Sequence, residues 1–256
     1  MRSARGFPLL VVAAAMSGHA TGQAQPSTKN IVLVHGAWVD GSGWKPVYEI
    51  LTSHGYTVTV VQEPLTSFAD DVAATRRVLD QQQAPCILVG HSYGGSVITE
   101  AGTHPRVTGL VYVAAHMPDA GESEAADGKR YPSAATTANV VRRTPDGFTF
   151  LERTQFVAYF AADLLSDDAQ FQAQSQILTA AAVFTGQITT PAWRSKPSSM
   201  VVAGADKIIN PDLERWYAKR AGSRTVDIPG ASHSVYRSHP KEVAALIEEA
   251  ARSPGK

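Results

Sequence analysis

From residue 30 onward the chain alternates short, unbroken apolar runs with longer amphipathic stretches. The runs lie at 31–34, 57–61, 86–89, 107–114, 199–203 and 225–228, and Val and Ile are prominent in them. Runs of that length and composition predict strands buried on both faces, the pattern of a parallel sheet. Between them, 46–54 predicts a helix stopped by Gly55. Residues 67–82 predict another, with Asp70 and Asp71 near its positive end and Arg76 and Arg77 further on. Two more, 211–221 and 240–251, each begin with proline in the first turn. Strand–helix alternation of this kind predicts an α/β fold with an open, doubly wound, mainly parallel six-stranded sheet.

One segment, 118–191, breaks the alternation, being rich in Ala, Gln, Asp and Phe without long aliphatic runs. Asp146-Gly147 between 140–143 and 148–151 predicts a small hairpin, against which Pro145 argues. Residues 154–164 and 167–183 predict two helices. The segment is expected to be a helical cap inserted after the fourth strand, over the C-terminal edge of the sheet, where it would supply many substrate contacts. That divides the chain into a first core part (25–117), the cap (118–191) and a second core part (192–256).

The first 24 residues have a different character. Arg2 and Arg5 precede an apolar stretch at 7–16 and a small, polar segment in which Gly22 and Ala24 suit a cleavage site. This is the layout of a secretory signal peptide, and ten apolar residues are too few to span a bilayer. A secreted or periplasmic protein with no membrane anchor after cleavage is expected. The 256 residues carry 23 basic and 23 acidic side chains, and removing two arginines and no acid leaves 21 against 23. Near-neutral charge without a Lys/Arg cluster argues against nucleic acid as a partner. The one cysteine, Cys86, lies in a predicted core strand and excludes an intrachain disulfide. No Cys/His pair has zinc-ligand spacing and no Gly-rich phosphate loop occurs, so neither metal nor cofactor is expected. The expected partner is a small molecule, bound by a monomer or homodimer.

Catalytic chemistry is concentrated where the third run turns into Gly90-His91-Ser92-Tyr93-Gly94. A buried strand that enters a helix through Gly-x-Ser-x-Gly is a nucleophile elbow, with Ser92 at its apex. A serine hydroxyl needs a base, and the base an orienting carboxylate. Two later strands run into suitable turns: 200–203 leads through Gly204 to Asp206, and 225–228 leads through Gly230 to His233. Asp212 and Asp227 are weaker acid candidates. Among the other histidines, His54, His104 and His239 fall at helix ends, His19 in the signal, and His91 is expected to pack beneath the elbow. After the first strand, His35-Gly36-Ala37-Trp38 suits an oxyanion hole, with backbone N–H groups of Ala37 and Tyr93 as donors. Gly36 would let the backbone approach the substrate, His35 would fix the loop, and Trp38 and Trp44 are candidates for lining the pocket.

Together these motifs, with Gly43-Trp44 and Val113-Ala114-Ala115-His116-Met117-Pro118-Asp119, resemble the α/β-hydrolase superfamily, in particular its plant methylesterase and hydroxynitrile lyase branch. The resemblance implies an exported bacterial member with Ser92, His233 and Asp206 as triad, Ala37 and Tyr93 as oxyanion hole, and Gly36, Trp38 and His116 near substrate. Lyases of that branch usually carry Thr at Gly36 and Lys at Ser234, and both departures favour ester hydrolysis. His116 replaces an apolar aromatic residue, and either binds a polar substrate group or is structural. The expected function is a serine hydrolase of carboxylic esters acting through an acyl-enzyme. The alternatives are lyase or other C–C cleavage on the same triad, and a non-catalytic receptor. Seven cap aromatics, among them Phe156, Phe160, Phe171 and Phe184, suggest an apolar or aromatic substrate group.

Overall fold

The computed structural model describes Met1 and residues 28–252; the segment 1–24, expected to be a signal peptide, lies outside the described residues apart from Met1. Six strands form one parallel sheet: β1 (Asn30–Val34), β2 (Thr57–Val60), β3 (Cys86–Ser92), β4 (Val107–Ala115), β8 (Ser198–Ala203) and β9 (Arg224–Ile228). Their order is β2-β1-β3-β4-β8-β9, so the chain reverses direction across the sheet between β1 and β3. Such a switch point leaves a crevice at the carboxyl ends of the flanking strands, the usual ligand position in open α/β sheets.

Alternation along each strand divides the core in two. Ile31, Leu33, Ile87, Val89, Val111 and Val113 point to one face, where they pack with residues of α1 (Lys45–Ser53), α9 (Val235–Ser238) and α10 (Pro240–Arg252). Val32, Val34, Leu88, Leu110, Tyr112 and Val202 point to the other, against α2 (Phe68–Asp80), α3 (Gly94–Ala101) and α8 (Pro211–Ala221). The central strands are thus covered on both sides, as their unbroken apolar runs predict. The edge strands β2 and β9 depart from that expectation: several of their residues are partly or fully exposed, because an edge has one neighbour and only partial helix cover. Helix starts follow local chemistry. Ser67 accepts from the Asp70 amide at 3.1 Å ahead of α2, and Asn210 accepts from the Asp212 amide at 3.0 Å ahead of α8, where Pro211 has no N–H and needs no acceptor.

Between β4 and β8 the chain forms α4 (Glu124–Arg130), α5 (Ala134–Thr137), β5 (Val141–Arg143), β6 (Phe148–Leu151), α6 (Arg153–Phe160), α7 (Ser166–Gln174) and β7 (Thr179–Ala180). The hairpin β5–β6 forms despite Pro145, which falls in its loop and leaves the ladder intact. The helix expected over 167–183 is corrected: it ends at Gln174, and β7 pairs antiparallel with β6 to complete a three-stranded sheet. Thr179 decides this, since its hydroxyl and carbonyl are used by Trp38 and Thr149 across the chain. The apolar cluster continues from the sheet into this segment through Leu151, Phe156, Phe160 and Val183. The cap therefore shares a core with one face of the sheet.

Candidate active site

Ser92 ends β3 with φ of +54°, a left-handed backbone that a non-glycine residue adopts only when its surroundings impose it. The surroundings are crowded. A Cβ on Gly90 would sit 2.5 Å from the Gly94 carbonyl oxygen, and one on Gly36 would sit 2.7 Å from the Ser92 Cβ. Side chains at either position would force strand, helix and loop apart. The turn leaves Ser92 in the wall of a cavity of about 580 Å³, at the amino end of α3.

His233 and Asp206 meet as the turns after β9 and β8 predict. His233 Nδ1 lies 2.6 Å from Asp206 Oδ2, and both side chains are fully buried. Asp206 Oδ1 accepts the amides of Ile208 at 2.7 Å and Ile209 at 3.1 Å, so three donors converge on one carboxylate. Asp212 and Asp227 instead pair with Arg215 at the surface. His233 Nε2 is buried and has no hydrogen-bond partner among the described residues. The bond from Ser92 Oγ to that nitrogen is not made in this structure, so two of the three expected members are joined and the third stands apart.

His91 connects the parts. Its Nε2–H donates to the His233 carbonyl at 2.9 Å, and its ring lies between Tyr236 (4.2 Å) and His233 (4.7 Å). Burial and the neighbouring His233 hold it neutral, well below the usual histidine range. The residue before the nucleophile thereby ties the elbow to the loop that carries the base. From the cap, Phe160 sets its ring edge-on to His233 at 4.7 Å, and its carbonyl accepts the Ser234 amide at 3.0 Å. The Ser232 amide donates to Asp163 at 2.9 Å. The His233 loop is held from both sides.

The loop after β1 is fixed as tightly. His35 Nδ1–H donates to the Gly36 carbonyl at 2.9 Å, and its Nε2 accepts the Glu63 amide at 2.9 Å, leaving no nitrogen for proton exchange. Trp38, at φ +64°, donates its amide to Thr179 Oγ1 and its indole N–H to Thr149 Oγ1, both on the cap sheet. Among the described residues, neither the Ala37 nor the Tyr93 amide donates a hydrogen bond. Ala37, Trp38 and His116 line the cavity with Ser92. Gly36 lies against Ser92 and outside the wall, and the Tyr93 ring turns away to donate its hydroxyl to Asp71 at 2.6 Å. Trp44 packs on His91 and Tyr236 in the core, away from the pocket. Of the seven cap aromatics, Phe184 alone reaches the cavity wall, and Phe156 stacks on Phe160 in the cap core. Phe156 and Phe160 are buried and Phe171 is exposed, so the aromatic side of the cavity comes from Phe184 together with Trp38 and Tyr131.

Three buried groups escaped sequence reasoning. Glu124 lines the cavity near His116, Glu63 lies beside His35, and Glu214 accepts the Ala203 amide next to Asp206. Burial and the nearby Asp206 push Glu214 well above the usual carboxyl range. Glu124 and Glu214 on helices and Glu63 in the stretch after β2 carry no sequence mark that separates them from surface acids. Cys86 is fully buried, and burial pushes its thiol up to about 12, which suits core filling.

The family model for the alpha/beta hydrolase family matches residues 31–246. The chain belongs to that family. This alpha/beta hydrolase is similar to the esterase PIR7B of Oryza sativa subsp. japonica, 25% identical over 263 positions that span 86% of this chain and 95% of that protein. It is 33% identical over 108 residues to a carbendazim hydrolyzing esterase of Nocardioides sp. (strain SG-4G), across 37% of this chain and 45% of that one. The fold is also that of the methylesterase MES16 from Arabidopsis, with a TM-score of 0.73, 17% identity, and 86% and 98% of the two chains covered.

Proposed function

We propose that this hydrolase cleaves carboxylic esters through an acyl-enzyme on Ser92, with His233 as general base and Asp206 as its orienting acid. The observation that carries the reading is the Asp206–His233 bond with the opposite nitrogen of the imidazole left unpartnered, tied by His91 to the turn that presents Ser92. The esterases among its relatives support the same chemistry. Substrate entry brings Ser92 Oγ to His233 Nε2; catalytic hydrogen bonds are often unmade in free enzymes. His233 takes the hydroxyl proton as Oγ attacks the ester carbonyl, and the oxyanion is held by the Ala37 and Tyr93 amides. The imidazolium, stabilised by Asp206, protonates the departing alcohol. Water then attacks the acyl-enzyme by the reverse path and releases the acid.

Hydrolysis of p-nitrophenyl acetate and labelling of Ser92 by a fluorophosphonate test this. Ser92→Ala is expected to lose labelling and to lower kcat by at least about 10³-fold, as loss of a triad nucleophile does. Retention of most activity overturns the mechanism. Mandelonitrile cleavage exceeding ester hydrolysis replaces it with lyase chemistry, and labelling without repeated turnover replaces it with a receptor. Export is part of the proposal. The protein recovered from periplasm is expected to begin at Gln25, and a chain retaining Arg2 and Arg5 rejects that.

A further inference from the structure

Inside the cavity that holds Ser92, at the C-terminal end of β4 and the first residue of α4, stand two polar groups to which the ester mechanism gives no task. Glu124 Oε2 lies 3.6 Å from His116 Nε2, and both side chains are largely buried. At that separation the two atoms are not hydrogen-bonded to one another. Glu124 Oε1 faces Ser96 Oγ at 2.8 Å. On the far side of the imidazole, His116 Nδ1 lies 3.5 Å from the Tyr217 hydroxyl, which donates its own proton to Asp127 at 2.7 Å. The Tyr217 oxygen is thus an acceptor toward His116, which puts the imidazole proton on Nδ1 and leaves Nε2 as a lone pair.

Burial pushes Glu124 up to about 8 and His116 down to about 3, so both are neutral at pH 7. A carboxyl O–H donor and an imidazole acceptor then stand side by side, each without a direct partner, on the wall shared with the nucleophile. A hydroxyl is the group that accepts one hydrogen bond and donates another from a single atom. A substrate carboxylate would meet the Nε2 lone pair with no proton to offer it, and an apolar group would leave both polar atoms dry. The peptide link supports the placement, since the His116 amide donates to the Ser92 carbonyl at 3.2 Å.

We propose that His116 and Glu124 form a subsite that binds a hydroxyl group carried by the ester substrate, so that this enzyme prefers hydroxylated esters to their deoxy counterparts. The inference rests on the esterase reading for its location beside Ser92, and on the His116–Glu124 geometry for its ligand.

Matched pairs test it: phenyl butanoate beside its 2-hydroxy and 3-hydroxy forms, and ethyl and propyl acetate beside the monoacetates of the corresponding diols. At least one hydroxylated member is expected to be preferred in kcat/KM by about tenfold or more, the discrimination expected of a site with polar groups otherwise left unpaired. His116→Phe and Glu124→Leu should each bring that ratio close to one. Glu124→Gln, whose amide N–H can replace the carboxyl donor, should retain most of it. Calorimetric titration of Ser92→Ala protein with the same pairs reads binding without turnover, and the hydroxylated member should bind more tightly by a similar factor. The subsite is refuted if no hydroxylated ester is preferred by more than about twofold in turnover or binding, less than one net hydrogen bond supplies. It is also refuted if the preference survives both His116→Phe and Glu124→Leu. Should the wild type hydrolyse none of these esters, the esterase reading fails separately, and the binding ratio alone decides the subsite.

Discussion

Two histidines follow strands of the sheet near Ser92, and each faces a buried carboxyl group, yet the two pairs differ in kind. His233 is hydrogen-bonded to Asp206 at 2.6 Å, and two backbone amides share that carboxylate. His116 stands 3.6 Å from Glu124, whose one hydrogen-bond partner is the Ser96 hydroxyl. Three converging donors make a carboxylate that can stabilise an imidazolium; one donor in an equally buried place leaves a neutral acid. Both pairs set a histidine against a largely buried carboxyl side chain, an aspartate in one and a glutamate in the other. The number of donors facing the acid separates a base from a neutral donor–acceptor pair.

Substitution of the acid breaks the comparison most directly. Asp206→Asn keeps the shape but presents an amide to the imidazole, and kcat for p-nitrophenyl acetate should fall by about 10³- to 10⁴-fold, as in other triads. The comparison fails if Asp206→Asn lowers kcat no more than Glu124→Gln does under the same conditions.

A smaller loss is expected from the loop that carries the Ala37 amide. The Cβ added by Gly36→Ala would fall 2.7 Å from the Ser92 Cβ and 3.1 Å from His91 Nδ1. Neither neighbour can yield, because His91 is held by the His233 carbonyl and Ser92 by its turn, so the loop must move. A displacement near 1 Å at such a site lowers kcat/KM by about 10²-fold. Thermal melting of the same variant should show that the fold survives. Near-wild-type activity would mean that the oxyanion donors lie elsewhere.

What the chain discloses as sequence, and what it conceals, follows the same division. The parallel strands are legible because burial on both faces leaves unbroken Val and Ile runs, and the elbow because close backbone approach at Gly90 and Gly94 excludes side chains. Asp206 and His233 are legible because each follows a strand end and a glycine turn. In the cap, α4 and α5 go unforeseen and the helix after Asp167 is drawn too long, because short amphipathic pieces there are settled by distant partners. Thr179 lies 141 positions from Trp38, whose amide it accepts, and no local pattern announces that bond. Glu63, Glu124 and Glu214 are concealed for the same reason: their neighbours come from other elements.

A third histidine–carboxyl pair sharpens the comparison through stability. Glu63 Oε2 lies 3.7 Å from His35 Nδ1, whose proton already serves the Gly36 carbonyl, and both Glu63 oxygens are buried without a partner among the described residues. Burial, with Asp71 and Glu124 nearby, pushes this acid well above its ordinary 4.5. Since the folded protein binds the Glu63 proton more tightly than the unfolded chain, stability falls as pH rises above 4.5 towards the folded value. His35, His91 and His116, all lowered by burial, act in the opposite sense, but only below their ordinary 6.5. From pH 6.5 to 8, then, the buried acids Glu63, Glu124 and Glu214 dominate and the melting temperature should fall. Glu63→Gln removes one of the three and should flatten that decline, by at most about 1.4 kcal/mol per pH unit, or a few degrees in Tm. An unchanged slope in melts at pH 6.5, 7.2 and 8.0 (about half the window per step) would place an anion beside His35 and bring that pair closer to His233–Asp206 than to His116–Glu124.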